Sequence, residues 1–404
     1  MKIAVIGGGA SGFFAAINIK IHNLNYEVII YEKTQKILSK VAISGGGRCN
    51  VTNSCDTVKF SKSYPRGEKF FKNLYLKFNN SDIITWFKNH NVTLKTEDDG
   101  RIFPTSNSSQ TIIDCFLKLS SELDIKILKG ISIEEIVPLA NGFELCNSTQ
   151  TYKADKVILC IGGGNNRNHY QLIHKLGHNI IEPLPSLFTF NIIDKDICNL
   201  MGISVQNALI KIQKTKLENT GDILITHWGF SGPGVIKLSA FAAQVLHEKK
   251  YEYEIKINWI NIVNEEEVRK IFQEFRTANN NKFVHNSPLF KLPNRLWVYF
   301  CTKSEISEKC KWSELSNKSL NKLIDSLTNS IYPCKGKTTF KEEFVTCGGI
   351  DLAEIDSSNM ESKKHKGLFF AGEVINIDGV TGGFNFQNAW TTAYTVATNI
   401  SKQA

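Results

Sequence analysis

Three glycine-rich stretches hold the residues of this chain best suited to chemistry. Near the start, Gly7, Gly9 and Gly12 stand in G-x-G-x-x-G spacing, with Ala10 and Ser11 inside the motif. The first glycine permits a tight turn, the second lets backbone approach a diphosphate, and the third lets a helix pack on a strand. Spacing alone is a weak signal, and the context strengthens it. An apolar strand over 2–6 leads in, a helix over 13–21 follows, and a second strand over 27–31 ends on Glu32. Helix N–H groups would meet the diphosphate, and the Glu32 carboxylate would accept hydrogen bonds from an adenosine ribose. The pattern predicts dinucleotide binding.

The tail chooses between dinucleotides. An apolar strand over 368–371 runs into Gly372 and Glu373, and 378–385 (Asp-Gly-Val-Thr-Gly-Gly-Phe-Asn) leads into a helix from about Gly383. FAD is long enough to be held at one end by the first glycine loop and at the other by this tail. Glu373 would serve the ribityl region, and the helix start would face the flavin N1/O2 edge, where negative charge develops on reduction. NAD has no comparable need for a second glycine-rich helix start. Between the two lies Ser44-Gly45-Gly46-Gly47-Arg48-Cys49-Asn50. There Arg48 offers a fixed cation, and Asn50 offers both a donor and an acceptor.

These loops need a frame, and the chain supplies one in two pieces. Helices are expected over 67–79, 81–90 and 108–122, with strands near 125–128, 132–138 and 142–146. The run 156–161 is almost wholly apolar, as suits a strand buried on both faces of a parallel sheet. Pro183 and Pro185 mark a boundary. Beyond it come strands at 187–193, 205–213, 222–226 and 251–260, then a Lys/Glu/Asn-rich helical stretch over 264–330. The expected class is α/β: one nucleotide-binding domain interrupted by an insert of alternating strands and small amphipathic helices.

The chain's 404 residues, 42% of them hydrophobic, exclude a disordered chain. No apolar run reaches the ~18 residues of a spanning helix, and residues 1–12 do not read as a signal peptide. Ten cysteines include no CxxC pair and no His cluster, so no metal site is expected and cytoplasmic, reduced thiols are the default. Net charge is +9, but the lysines are scattered and only seven arginines are present. A solvated surface is therefore favoured over a nucleic-acid partner.

At these motifs the chain resembles the YhiN-type flavoproteins, also called the BaiN/RdsA family and described as NAD(P)/FAD-dependent oxidoreductases. The matching segments are GGGASG (7–12), ISGGGRCNVTN (43–53), GRIFPTS (100–106), LGHNI (176–180), THWGFSGP (226–233), VTCGGIDLAEID (345–356) and 359–389 with its AGEV and DGVTGGFNFQ. The resemblance implies a Rossmann-like FAD-binding domain interrupted by an inserted antiparallel β-barrel and a small helical bundle. The boundaries it implies are 1–186 with 341–404 for the FAD domain, 187–262 with 331–340 for the barrel, and 263–330 for the helices. It also implies flavin contacts at Gly7, Gly9, Ala10, Ser11, Gly12, Glu32, Lys33 and Lys40. It extends them through Ser44, Gly46, Gly47, Arg48, Cys49 and Asn50. Ile131 would touch adenine, and Cys160, Ile161, Gly162 and Gly163 would pass the diphosphate. Gly372, Glu373, Asp378, Gly383, Phe384, Asn385 and Gln387 would hold the ribityl chain and isoalloxazine. The chain departs from the family after Gly163, where a short 164–169 loop replaces a longer Ser-Tyr-Pro-type loop.

Two further residues invite chemistry. Cys49 and Cys55 are separated by five residues rather than the four of flavin disulfide reductases, so packing thiols are favoured over a redox pair. His227 is a candidate proton-transfer group, weighed against a hydrogen-bonded histidine that orients its loop. A second NAD-binding fingerprint is missing at 162–164, leaving NAD(P)H as a transient reductant without a dedicated domain. The expected function is an FAD-dependent oxidoreductase moving hydride between flavin N5 and a small organic substrate, such as an amine, an enone or a bile-acid-like steroid. That substrate is expected between FAD domain and insert. A tRNA- or RNA-associated, or non-catalytic, flavoprotein is the alternative.

Overall fold

The computed structural model describes residues 1–164, 167–338 and 345–402, the Arg167 side chain excepted. The 165–166 part of the short loop lies outside the described residues. The chain divides into two compact units, Met1–Ser186 with Lys341–Ala404, and Leu187–Phe340.

The first unit is built on a parallel sheet in the order Leu368–Phe370, Lys156–Leu159, Lys2–Ile6, Glu27–Glu32, Lys126–Lys129. Parallel strands need both faces covered, and Ile3–Ile6 and Val157–Leu159 are indeed buried. The helix Ala10–His22 is buried from Ser11 to Lys20. It packs beside the C-terminal helix Phe384–Lys402. Phe14 sits 5.3 Å from Trp390, and Phe13 lies 6.3 Å from Phe116 of the helix Gln110–Glu122. Lys20 is tolerated in this core because its ammonium donates to the carbonyls of Leu24 and Tyr26.

The first helix begins at Ala10, three residues before the expected start. Gly9 is its N-cap in an extended conformation (φ −94°, ψ −168°), so the helix opens inside the glycine motif. The stretch 34–66, expected to be loop-rich, contains helical segments at Ser39–Gly47 and Thr57–Lys62. Ser44, Gly45 and Gly46 interrupt the former with non-helical angles. Gly45, Gly46 and Gly47 take φ of +58°, +69° and +83°, a run that side-chain-bearing residues rarely adopt. The helix expected over 67–79 is shorter, Glu68–Tyr75.

The second unit is a closed six-stranded antiparallel barrel: Thr189–Ile192, Gly229–Ser231, Glu218–Thr226, Ser204–Ile212, Glu252–Asn258 and Ser330–Thr338, returning to the first. Closure removes the exposed edges an open sheet would leave. The helix Pro233–Glu248 carries proline in its first turn, where a missing N–H costs nothing. Helices Glu265–Ala278, Asn294–Lys303 and Asn317–Thr328 occupy the expected helical stretch, with Phe272, Trp297 and Trp312 in their core.

Candidate functional site

The glycine loop's geometry separates three roles. A Cβ on Gly7 would lie 2.3 Å from the Cys160 carbonyl oxygen, and one on Gly12 would lie 2.0 Å from the Gly7 oxygen. Both positions are structural. A Cβ on Gly9 would meet nothing within 4 Å, and no side chain caps the helix that Gly9 begins. Uncapped N–H groups beside open space are what an anionic ligand requires.

Glu32 is oriented by three donors. Its Oε2 accepts from Gly8 N (2.9 Å), and its Oε1 accepts from Thr34 N and Oγ1 (both 2.9 Å). With two acceptor sites per oxygen, Oε2 keeps one free for a ribose hydroxyl. The Ile131 N–H is spent on the Glu32 carbonyl at 3.0 Å, which places Ile131 at the end of the second strand.

Other expected residues converge on the same rim through a chain of contacts. A Cβ on Gly372 would lie 2.5 Å from Ser11 Oγ, and one on Gly163 would lie 2.8 Å from the Glu373 carboxyl carbon. Glu373 takes Lys40 Nζ at 2.5 Å and Thr346 N at 2.9 Å. With its amide turned to suit its neighbours, Asn50 Oδ1 accepts from Gly383 N at 3.0 Å. The Gly383 backbone (φ +95°) also presses on Thr52, 2.4 Å from where a Cβ would stand. Gly46 and Gly162, like Gly9, face open space. Lys33 is exposed, while Ser44, Gly47 and Ile161 are half-buried; Ser44 Oγ donates to the Val41 carbonyl.

Several expected contacts also take partners within the protein. Cys49, Asp378 and Gln387 have no accessible surface, and Cys160 has almost none. Gln387 Oε1 accepts from Thr52 Oγ1 at 2.7 Å, and Asn385 is paired at 2.8 Å with both the N–H and the carbonyl of Gly379. Phe384 is buried against Phe60. Arg48, expected beside phosphate or flavin, pairs with Glu97 at 2.6 Å and lies 4.0 Å over the Phe103 ring. Burial pushes the Cys49 and Cys160 thiols up to about 12, with hydrogen bonds to Ser44 and Ser11 opposing. Such thiols are neutral at physiological pH, the opposite of an activated nucleophile, and no disulfide is formed among the described residues.

His227 is exposed at the turn between Glu218–Thr226 and Gly229–Ser231, its ring 3.9 Å from Trp228. The turn is closed instead by Thr226 Oγ1 donating to the Gly229 carbonyl at 3.0 Å. Sequence reasoning missed Arg66, Ser186, Thr52 and Thr346. An arginine inside a Tyr-Pro-Arg-Gly turn, in a chain with only seven, was the one available hint. A surface cavity of about 490 Å³, bordered by Leu139, Phe143, Lys156 and Lys366, lies at the opposite end of the parallel strands and shares no residue with this site.

The pattern of the HI0933-like protein Rossmann domain matches residues 1–399. The chain belongs to the HI0933-like family. Two kinds of curated relative match along nearly their whole lengths. A 3-dehydro-bile acid delta(4,6)-reductase of Clostridium scindens is 26% identical over 401 residues, covering 97% of each chain. A ribosomal RNA dihydrouridine synthase of Haemophilus influenzae is 26% identical over 412 residues, covering 99% of this chain and 98% of the relative. The Escherichia coli protein of the same name is 25% identical over 405 residues, covering 98% and 97%. Among solved structures, the open conformation of a flavocytochrome c3 fumarate reductase aligns with a TM-score of 0.51 at 15% identity, over 99% of this chain and 78% of that one. No helix among the described residues of this HI0933-like protein is long and apolar enough to cross a membrane.

Proposed function

We propose that this FAD-dependent oxidoreductase reduces a carbon–carbon double bond conjugated to a carbonyl in an organic substrate. The observation that carries the reading is the cradle itself. Gly9, Gly46 and Gly162 open onto free space, and a helix N-terminus without a cap stands beside an acceptor-bearing Glu32. That donor set fits FAD: amides for a diphosphate, a carboxylate for a ribose, and a second helix start at Phe384 for the flavin. When bound, FAD supplies a hydride at N5 for the β-carbon of such a substrate. The chain's own residues bind and orient. The start of the Ala10–His22 helix would hold the diphosphate, Glu32 would hold the ribose, and the Lys40–Glu373 pair stands where the first loop meets the tail. A proton must reach the α-carbon, and exposed His227 is the candidate donor.

Both relatives' names support the substrate class. A bile-acid delta(4,6)-reductase and a dihydrouridine synthase each saturate a double bond conjugated to a carbonyl. RNA uracil is the second reading, and charge favours it. Residues 187–338 carry a net +6 of the chain's +9, so the excess sits mainly on the insert.

The test is anaerobic. The purified protein should release FAD on denaturation, NADH or NADPH should bleach the bound flavin, and a 4-en-3-one steroid or uridine-containing ribosomal RNA should restore its colour. A chain that binds no FAD, or whose reduced flavin is reoxidised by neither acceptor, would overturn the proposal. His227→Gln should slow turnover without changing FAD content; unchanged turnover would remove it as donor.

A further inference from the structure

The flavin-side tail is held by a short strap, Ser63–Gly67, to which neither motif nor comparison assigns a role. Four contacts bind it to 376–384. The Val380 N–H donates to the Ser63 carbonyl at 2.9 Å. The buried Tyr64 hydroxyl donates to the Phe384 carbonyl at 2.7 Å. Arg66 and Asp378 form an isolated backbone bridge. Gly67 (φ +75°) lies so close that a Cβ would stand 2.4 Å from Ile377 Cγ1.

At the centre of the strap the Arg66 guanidinium grips Asp378 with two nitrogens, Nε on Oδ1 and Nη2 on Oδ2. Ser186 Oγ donates to Oδ2 at 2.5 Å and accepts from Arg66 Nη2 at 3.0 Å. Asp378 is fully buried, and the Arg66 side chain is 10% exposed. Burial pushes the Asp378 carboxyl up, while Arg66 and then Ser186 pull it down; Glu373 raises it slightly. Apolar residues of similar volume commonly stabilise a fold as well as a buried ion pair does, so stability alone does not account for this one. Its bidentate fork does fix the direction of the chain on either side. That chain is the loop delivering Gly382 and Gly383 to the start of the C-terminal helix.

Resting on the FAD reading above, we propose that Arg66 is a positioning residue. Through Asp378, with Ser186, it sets the backbone of the flavin-facing loop and thereby the affinity for FAD and the environment of the ring. Asp378 acts from behind the loop, not as a ligand.

The test compares wild type, Arg66→Met, Arg66→Lys and the double variant Arg66→Met/Asp378→Asn. It reads FAD dissociation constants by flavin fluorescence, visible circular dichroism of the bound flavin, and far-ultraviolet circular dichroism for folding. Arg66→Met should weaken FAD at least tenfold and alter the visible spectrum of the flavin that still binds. Arg66→Lys, which keeps charge but not the fork, should fall between. The double variant leaves no unpaired carboxylate but also no fork, so it should stay more than about threefold weaker than wild type. Arg66→Met within twofold of wild type with an unchanged spectrum would overturn the inference. So would a double variant that binds FAD within about threefold of wild type, which would trace the loss to an unpaired buried charge and not to the fork; if Arg66→Met fails to fold, its comparison with wild type passes to Arg66→Lys. Wild type that binds no FAD would instead overturn the parent reading, and this inference with it.

Discussion

Gly9 and Gly12 belong to one motif, yet alanine at each should fail in a different way. At Gly12 the new Cβ would sit 2.0 Å from the Gly7 carbonyl oxygen, more than 1 Å inside contact distance, and that oxygen belongs to backbone that cannot swing away. Overpacking of this kind costs about 1–3 kcal/mol and occasionally more. The Gly12→Ala chain should therefore unfold at lower denaturant with or without FAD. At Gly9 the backbone is already extended at φ −94°, and no protein atom lies within 4 Å of the new methyl. Losing glycine's freedom in the unfolded chain should leave the apoprotein unchanged or more stable by about 0.4–1 kcal/mol. The methyl would occupy the space proposed for the diphosphate, however. By the same overpacking scale, about 1–3 kcal/mol, FAD should weaken roughly 5- to 150-fold. The assay is urea unfolding of FAD-stripped protein beside FAD titration of the same preparations. Gly9→Ala that binds FAD as wild type does, or that loses apoprotein stability as Gly12→Ala does, would refute the assignment of the open space to the cofactor.

Three other outcomes follow from the same geometry. Cys49, fully buried with its thiol pushed up to about 12, should resist alkylation in the native protein at pH 8, and Cys49→Ser should leave flavin reduction intact; a charge-transfer band lost in that variant would restore the disulfide-reductase reading. Burial lowers the His178 imidazole from 6.5 to about 4. Below about pH 6.5 the unfolded chain gains a proton that the native one refuses, so stability should fall as pH drops from 6.5 toward 4. The loss is of order 2–3 kcal/mol, and urea midpoints of His178→Gln should show a shallower slope. The Lys40 side chain is 53% exposed, so Lys40→Met should change stability by less than about 1 kcal/mol. Because it frees Glu373 at the rim, a measurable change in FAD affinity is expected; an unchanged dissociation constant would place Lys40 outside the site.

Local physics made much of the fold legible. The apolar runs 2–6 and 156–161 suit strands buried on both faces, as in a parallel sheet, and a glycine triplet between strand and helix has few other uses. Alternating strands after Pro185 marked a change of architecture. Harder to read was 34–66. Its Ser-Gly-Gly-Gly turn owes its shape to three consecutive positive φ values, which composition allows but does not specify.

The candidate site divides in the same way. Sequence by itself determined family, fold class and the positions where backbone must come close, because close approach demands glycine and glycine is visible in a sequence. Only tertiary structure decided which partners the side chains around it take. Arg48 turned to Glu97, Gln387 to Thr52, and Asp378 to Arg66, a residue 312 positions away. A charged or amide side chain takes the partner that satisfies it when buried. That partner is chosen by the packing of distant segments, which no local spacing records.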